Sequence, residues 1–100
     1  MKTPDGAWID VSVVPYGLVV NTGKCLERWA NGCLRAVSHR VKLLTMERIS
    51  VPFFVEACHS TLIVPITAKN EIQKYEPITY AQYITESNEQ FKEYQRDEQV

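Results

Sequence analysis

Several features that would assign a chain to a particular class are missing from this sequence. No apolar run approaches the roughly 20 residues that a membrane-spanning helix needs, so we expect no membrane segment. The net charge of the 100 residues is -1, which provides no general basic field for holding nucleic acid. Cys25, Cys33 and Cys58 form no C-x-x-C pair, which argues against structural zinc and against a disulfide framework.

The beginning of the chain also lacks the pattern of a secretory signal, because residues 1–6 are polar and no apolar stretch follows them. We therefore expect reduced, mostly buried thiols in a cytoplasmic protein. What is present is typical of a globular chain, with 45% hydrophobic and 10% aromatic residues, a content too high for a disordered tail. The length allows one domain with little core to spare.

The charge is distributed unevenly along the chain. Residues 1–50 contain seven basic and four acidic residues, whereas residues 51–100 contain four basic and eight acidic ones. Two interpretations remain open: a solvated acidic helix near the C-terminus, or a first half that binds a small anion.

Most of the chain has the pattern of a β protein. Asp5-Gly6 is a hairpin turn signal, and residues 24–30 can form a short helix before the break at Asn31-Gly32. The segments with strand character are residues 8–14, 18–22, 34–44, 48–56 and 61–66. Their spacing near ten residues predicts a sandwich, a jelly roll or a barrel.

The last quarter of the chain differs from the rest. After Pro77, the sequence from Thr79 to Gln82 has the capping-box pattern that opens a helix. Its predicted buried stripe consists of Tyr80, Tyr83, Ile84, Ser87, Phe91 and Tyr94. Residues 95–100 are polar, and we expect them to be frayed.

His39 is the first candidate for chemistry. Strand alternation places it with Val37 and Val41 on one face, and Ser38, Arg40 and Lys42 on the other. Such a histidine is either a satisfied core residue or a metal ligand.

Arg48 and Ser50 are the second candidate, because they share a face of the next strand. A guanidinium and a hydroxyl at this spacing can bind a carboxylate. The alternative is an arginine paired with Glu47 or Glu56. Together, His39 and the Arg-x-Ser pair could hold a metal and a carboxylate side by side, as a chelating keto acid requires.

These motifs resemble the C-terminal half of the iron(II)/2-oxoglutarate-dependent oxygenases, in the isopenicillin N synthase-like branch. The resemblance rests on His39-Arg40-Val41 and on residues 48–54 (RISVPFF), and further landmarks in family order support it. These landmarks are residues 5–11 (DGAWIDV), 15–17 (PYG), 20–23 (VNTG) and 28–32 (RWANG). The resemblance implies a double-stranded β-helix, or jelly roll, with residues 1–76 as its C-terminal half and residues 77–100 as an amphipathic helix and tail.

The resemblance also implies chemistry. His39 matches the second iron histidine of a facial triad, and Arg48 and Ser50 match the motif that binds the distal carboxylate of 2-oxoglutarate. The cofactors would be Fe(II) and 2-oxoglutarate as cosubstrate, and a dioxygenase would oxidise a small molecule. The His-x-Asp pair that supplies the other two ligands is absent from the sequence.

Three functions therefore remain at this stage. The chain is a C-terminal fragment of an oxygenase that is inactive alone, a non-catalytic jelly-roll binding module, or an inactive truncated gene product. Because a half jelly roll exposes strand edges, we expect self-association or pairing with an N-terminal half.

Overall fold

The computed structural model describes residues 1–42 and 45–90. Four elements follow one another in that part of the chain: helix α1 (Lys24–Trp29), strand β1 (Leu62–Ile63), strand β2 (Ile78–Thr79) and helix α2 (Tyr80–Gln90). The two strands pair in antiparallel fashion, with Leu62 opposite Thr79 and Ile63 opposite Ile78.

The small core lies where these elements meet. Ile63, Ile78 and Tyr80 are buried, and half-buried side chains from α1 and α2 pack against them. On α2, Tyr83, Ile84 and Ser87 are half-buried while the residues between them are exposed. The predicted amphipathic stripe is therefore confirmed from residue 80 to residue 87. Phe91, Tyr94 and the predicted frayed tail lie outside the described residues.

Helix α2 begins with the predicted capping box. The Thr79 backbone N–H donates to the Gln82 side-chain oxygen at 3.2 Å, and the Gln82 N–H donates to the Thr79 hydroxyl at 3.3 Å. These reciprocal bonds satisfy donors that an uncapped first turn leaves without partners.

The N-terminal hairpin is also present. Lys2 and Trp8 form an antiparallel bridge, and Gly6, at φ 92°, occupies the turn. Glycine adopts this left-handed conformation at little steric cost. The hairpin signal at Asp5-Gly6 is therefore confirmed, although the strand before it is only a few residues long.

The mainly β prediction is met only in part. Within residues 1–42 and 45–90, the hydrogen-bonded strands are β1, β2 and the bridge in the hairpin. Residues 9–14, 18–22, 34–42 and 48–56 have strand sequences but no assigned strand structure. A β-strand needs a neighbour along its whole length for its backbone donors and acceptors. Among the described residues these segments have at most isolated backbone bonds, such as those from Ile9 to the Met1 carbonyl and from Val37 to the Thr22 carbonyl. Residues 43–44 of the third predicted segment, residues 34–44, lie outside the described residues.

The molecule is correspondingly open. Its radius of gyration is 16.8 Å, whereas a compact domain of this length has about 13 Å. Its accessible surface is 9585 Å², and a folded monomer of this mass exposes about 5,800 Å². The chain therefore leaves unburied a large area that a closed domain would cover.

Candidate functional site

The segment that carries His39 is held by other parts of the chain. The Val37 N–H donates to the Thr22 carbonyl at 3.0 Å, and the Lys2 N–H donates to the Ser38 carbonyl at 2.9 Å. Two different segments thus fix the backbone immediately before His39.

Side-chain contacts fix which way this segment faces. The Arg40 guanidinium lies 4.1 Å from the centre of the Trp8 ring, and the Lys42 ammonium is 2.7 Å from an Asp10 carboxylate oxygen. Arg40 and Lys42 therefore share the face that meets the N-terminal hairpin. His39 lies between these two residues in the sequence, and its position on the opposite face stays a prediction from strand alternation.

His39 is exposed rather than part of the core, so the interpretation as a core histidine is wrong for this structure. Its Nδ1 lies 3.1 Å from the Val37 carbonyl oxygen. Because a carbonyl can only accept, Nδ1 is the protonated nitrogen, and Nε2 keeps a free lone pair in the neutral ring. Metal-binding histidines are commonly oriented in this way, with the second ring nitrogen donating to a carbonyl.

Arg48 and Ser50 lie on a segment that is exposed throughout. Arg48, Glu47 and Ile49 line an open groove of about 540 Å³. Neither Glu47 nor Glu56 forms an ion pair with Arg48 in the described structure. The alternative that Arg48 is neutralised by an acidic neighbour in its own chain is therefore not supported by these contacts.

Iron binding needs more than His39. Among residues 1–42 and 45–90, no group of three His, Cys, Asp or Glu side chains could hold a metal ion. The described residues therefore do not form an iron site by themselves. His39 can contribute one nitrogen, and Arg48 and Ser50 have donors that suit a carboxylate.

Asn31 is the residue whose importance the sequence underestimates. It is fully buried, and its side-chain amide donates to Glu71 at 2.9 Å and to the Ile72 carbonyl at 3.0 Å. Its side-chain oxygen accepts the Lys74 N–H at 2.8 Å. The sequence signal was only a break in the chain at Asn-Gly, whereas the structure uses the side chain to anchor a loop 40 residues away.

The backbone of Asn31 also ends α1. Its φ is 51°, and the Gly32 N–H reaches back to the Glu27 carbonyl at 2.8 Å while the Asn31 N–H reaches the Arg28 carbonyl at 3.1 Å. This pair of bonds is a Schellman motif with asparagine at the left-handed position. The segment leading to His39 therefore leaves α1 in a defined direction.

No metal-binding cluster of titratable groups forms around His39 in residues 1–42 and 45–90. Cys25 is half-buried, and Cys33 and Cys58 are exposed, so the expectation of mostly buried thiols is met by Cys25 alone. Burial raises the pKa of the Cys25 thiol, which keeps it protonated and unreactive at neutral pH. His59 is an exposed loop residue, as predicted, and its ring centre lies 6.4 Å from that of Tyr80.

None of the helices in the part of the chain that the structure describes is long and apolar enough to cross a membrane.

Comparisons with known proteins agree on one family. The model of the 2OG-Fe(II) oxygenase superfamily matches residues 1–57. Gibberellin 2-beta-dioxygenase 5 of Oryza sativa subsp. japonica is 35% identical over 81 residues, which cover 78% of this chain and 24% of that protein. Isopenicillin N synthase of Streptomyces griseus is 31% identical over 90 residues, which cover 88% of this chain and 27% of that enzyme.

A third relative is flavanone 3-dioxygenase 2 of Oryza sativa subsp. japonica, 39% identical over 80 residues, which cover 79% of this chain and 23% of that enzyme. The chain thus spans about a quarter of the length of these curated relatives. No solved structure matches it.

The relatives are named as enzymes, so the comparisons do not favour the alternatives of a non-catalytic binding module or an inactive truncated product. The family uses Fe(II) and 2-oxoglutarate, and the resemblance inferred from His39, Arg48 and the surrounding landmarks is confirmed. The chain belongs to the 2OG-Fe(II) oxygenase superfamily.

Proposed function

We propose that this chain is the C-terminal part of an iron(II)- and 2-oxoglutarate-dependent oxygenase that oxidises a small organic molecule. Its strand segments would complete a double-stranded β-helix, or jelly roll, when the rest of the sheet is present. His39 would be one iron ligand, and Arg48 with Ser50 would bind the distal carboxylate of 2-oxoglutarate. The division of the chain at residue 76 into jelly roll and C-terminal helix is part of this proposal.

The observation that carries the proposal is the state of His39. Its Nδ1–H donates to the Val37 carbonyl at 3.1 Å, and this leaves Nε2 free to bind a metal. The backbone of Val37 is itself bonded to Thr22 at 3.0 Å. An exposed histidine with a fixed tautomer on an anchored segment is suited to ligation and has no evident purpose in packing.

The carboxylate clamp is supported by the chemistry of its donors. A guanidinium can donate two parallel hydrogen bonds to a carboxylate, and the hydroxyl of Ser50 can add a third from the same face of a strand. Arg48 has no ion-pair partner among the described residues. It therefore retains its full capacity to bind an anion.

A chimera tests the proposal. The part of the rice gibberellin 2-beta-dioxygenase that this chain matches is replaced by the chain, and 2-oxoglutarate-dependent succinate release is measured. We expect turnover in the chimera and its loss in the His39→Ala variant to the level of the host lacking the segment. His59→Ala is the matched control, because it removes the other histidine of the chain.

Two results would count against the proposal. Equal turnover in the His39→Ala chimera and its parent would remove His39 from the iron site. Loss of turnover in both histidine variants, with the chimera still folded by circular dichroism, would show that the effect does not depend on ligation by His39.

Cytoplasmic localisation also remains a prediction. It rests on three cysteines that are all free of disulfide bonds, as expected in a reducing compartment. Fluorescence microscopy of the tagged chain in its source cell would test it.

A further inference from the structure

Residues 48–56 are exposed on both of their faces. The exposed fractions of Ile49, Val51, Phe53, Phe54 and Val55 lie between 74% and 92%. In the part of the chain that the structure describes, no backbone hydrogen bond reaches this segment. A segment with one apolar face, made of Ile49, Val51, Phe53 and Val55, and with unpaired backbone groups is a template for pairing with another strand.

The sequence of this segment is complementary to itself. If two copies pair in antiparallel fashion with Pro52 opposite Pro52, then Arg48 of each copy lies opposite the partner's Glu56. Shifting the register by two residues in either direction places Arg48 opposite Phe54 or Cys58 instead. The matched register is therefore the one that sets opposite charges against each other at both ends.

The same register pairs the apolar residues. Ile49 lies opposite the partner's Val55, and Val51 lies opposite the partner's Phe53. Pairs of β-branched and aromatic residues across strands stabilise antiparallel sheets. All of these residues are exposed in the single chain, so the pairing covers apolar surface that would otherwise face water.

Pro52 is compatible with this pairing and helps to select it. In an antiparallel ladder, residues alternate between pairs that exchange hydrogen bonds and pairs that do not. If Pro52 lies at a pair without hydrogen bonds, its missing N–H is not needed. The residues whose N–H groups then face the partner are Ile49, Val51, Phe53 and Val55, and each of them has a donor.

Glu56 is already positioned by its own chain. Burial and, next, the nearby Glu56 carboxylate raise the pKa of Tyr80, and Tyr80 is a core residue. The following residue, Ala57, packs against the same core. One end of the segment is therefore anchored, which limits the entropy that pairing must remove.

Residues 48–56 contribute to a larger excess of exposed surface. The whole chain exposes 9585 Å², roughly 3,800 Å² more than a folded monomer of its mass.

We propose that residues 48–56 pair in antiparallel fashion with the same residues of a second copy, about a two-fold axis at Pro52. The dimer engages Arg48 with the partner's Glu56, so dimerisation and binding of a carboxylate by Arg48 exclude each other. The proposal does not depend on the oxygenase function, because it concerns the chain when the segment has no other strand beside it.

Cysteine cross-linking tests the register. In a Cys33→Ser, Cys58→Ser background, Pro52→Cys places two cysteines directly opposite each other, at a Cα separation of about 4.5 Å, which a disulfide can span. Ser50→Cys is the matched control on the same face, where the two cysteines are offset by four residues, about 13 Å. We expect oxidation to give covalent dimers of the Pro52→Cys variant only. The background itself, in which Cys25 is the remaining cysteine, should give none.

Charge reversal tests the ends of the paired strands. Arg48→Glu sets like charges against each other at two symmetric positions, and the dimer dissociation constant, measured by analytical ultracentrifugation, should rise about tenfold. The double variant Arg48→Glu, Glu56→Arg exchanges the charges and should restore dissociation to within about threefold of the parent. Glu47→Arg is a matched control, because its opposite position in this register is Ala57.

The outcomes separate this proposal from the oxygenase function. A parent chain that is monomeric at all concentrations, or a dimer that neither cross-links at residue 52 nor responds to charge reversal, overturns the pairing. A monomer that forms a complex only with the N-terminal part of a relative also overturns it while supporting the oxygenase proposal. A dimer with the expected cross-link supports it whether or not the chimera described above is active.

Discussion

At the scale of single residues, the two parts of the candidate site differ in how firmly the chain holds them. These parts are His39 and the pair Arg48 and Ser50. His39 has a fixed ring orientation, with Nδ1 bonded at 3.1 Å to the Val37 carbonyl. Among the described residues, Arg48 has no ion-pair partner and its segment has no neighbouring strand. A ligand of Arg48 must therefore order the side chain on binding, unless a strand beside it has already done so.

The contribution of Arg48 can be measured in the chimera. Replacing Arg48 with alanine removes a charge-assisted pair, which is worth about 2 kcal/mol or more, or about a 30-fold loss of affinity for 2-oxoglutarate. Titration of the chimera with 2-oxoglutarate measures this change, and Arg35→Ala is a matched control because Arg35 is an exposed arginine elsewhere. Unchanged affinity in Arg48→Ala would mean that this arginine is structural.

A second residue-scale prediction concerns pH. The Ala68 N–H and, next, the Asn31 amide bond to Glu71 and lower the pKa of its carboxyl below the ordinary value of 4.5. Because the folded state holds this carboxylate more strongly than the unfolded state, its stabilisation is fully present above about pH 4.5. It is lost as the pH falls through the lower pKa of the folded state.

The loop that includes Ala68 and Glu71 should therefore loosen in acid. We expect the Ala68 amide resonance in NMR spectra to titrate with a midpoint below 4.5. Glu71→Gln, which does not ionise, should abolish that titration. The same curve in both proteins, or a midpoint above 4.5, would contradict the assignment.

At the scale of elements, local signals explain the helices. Helix α2 begins at a reciprocal capping box between Thr79 and Gln82, and α1 ends in a Schellman motif with Asn31 at φ 51°. Both signals lie within a few residues of the helix end that they specify. They act whether or not the rest of the fold is present.

The cap can be tested by mutation. Thr79→Ala removes the side-chain acceptor for the Gln82 N–H, and we expect a loss of about 1 kcal/mol in the free energy of unfolding. Urea denaturation followed by circular dichroism at 222 nm measures it. Thr85→Ala is the matched control, since the Thr85 hydroxyl only bonds back to the Ala81 carbonyl within α2 and should cost little. Equal losses in the two variants would exclude a specific capping role.

Strands could not be predicted to the same extent, for a physical reason. The alternation in residues 48–56 predicts that Arg48 and Ser50 share a face, but alternation does not supply a hydrogen-bonded neighbour. Asn31 shows a second reason why prediction from the sequence fails. Its bonds to residues 71–74 join distant parts of the chain. No local pattern indicates such a contact. The break at Asn31-Gly32 can therefore be predicted from the sequence, whereas the hydrogen bonds of the Asn31 side chain cannot.

At the scale of the whole molecule, the chain combines a small ordered core with a large exposed apolar surface. Ile63, Ile78 and Tyr80 are buried beneath α1 and α2, whereas residues 48–56 are exposed. The molecule belongs to an oxygenase family but spans about a quarter of its relatives' length. The candidate site residues therefore need further parts of an oxygenase fold, which the described residues do not provide.

The most direct test of this account is succinate release, measured with Fe(II), 2-oxoglutarate and a reductant, by the purified 100-residue chain and by the chimera. We predict none from the chain alone, because its described residues hold no three-ligand metal site. We predict turnover from the chimera, in which the host enzyme supplies the rest of the fold. Iron-dependent succinate release by the isolated chain would contradict the central claim that His39, Arg48 and Ser50 form only part of an active site.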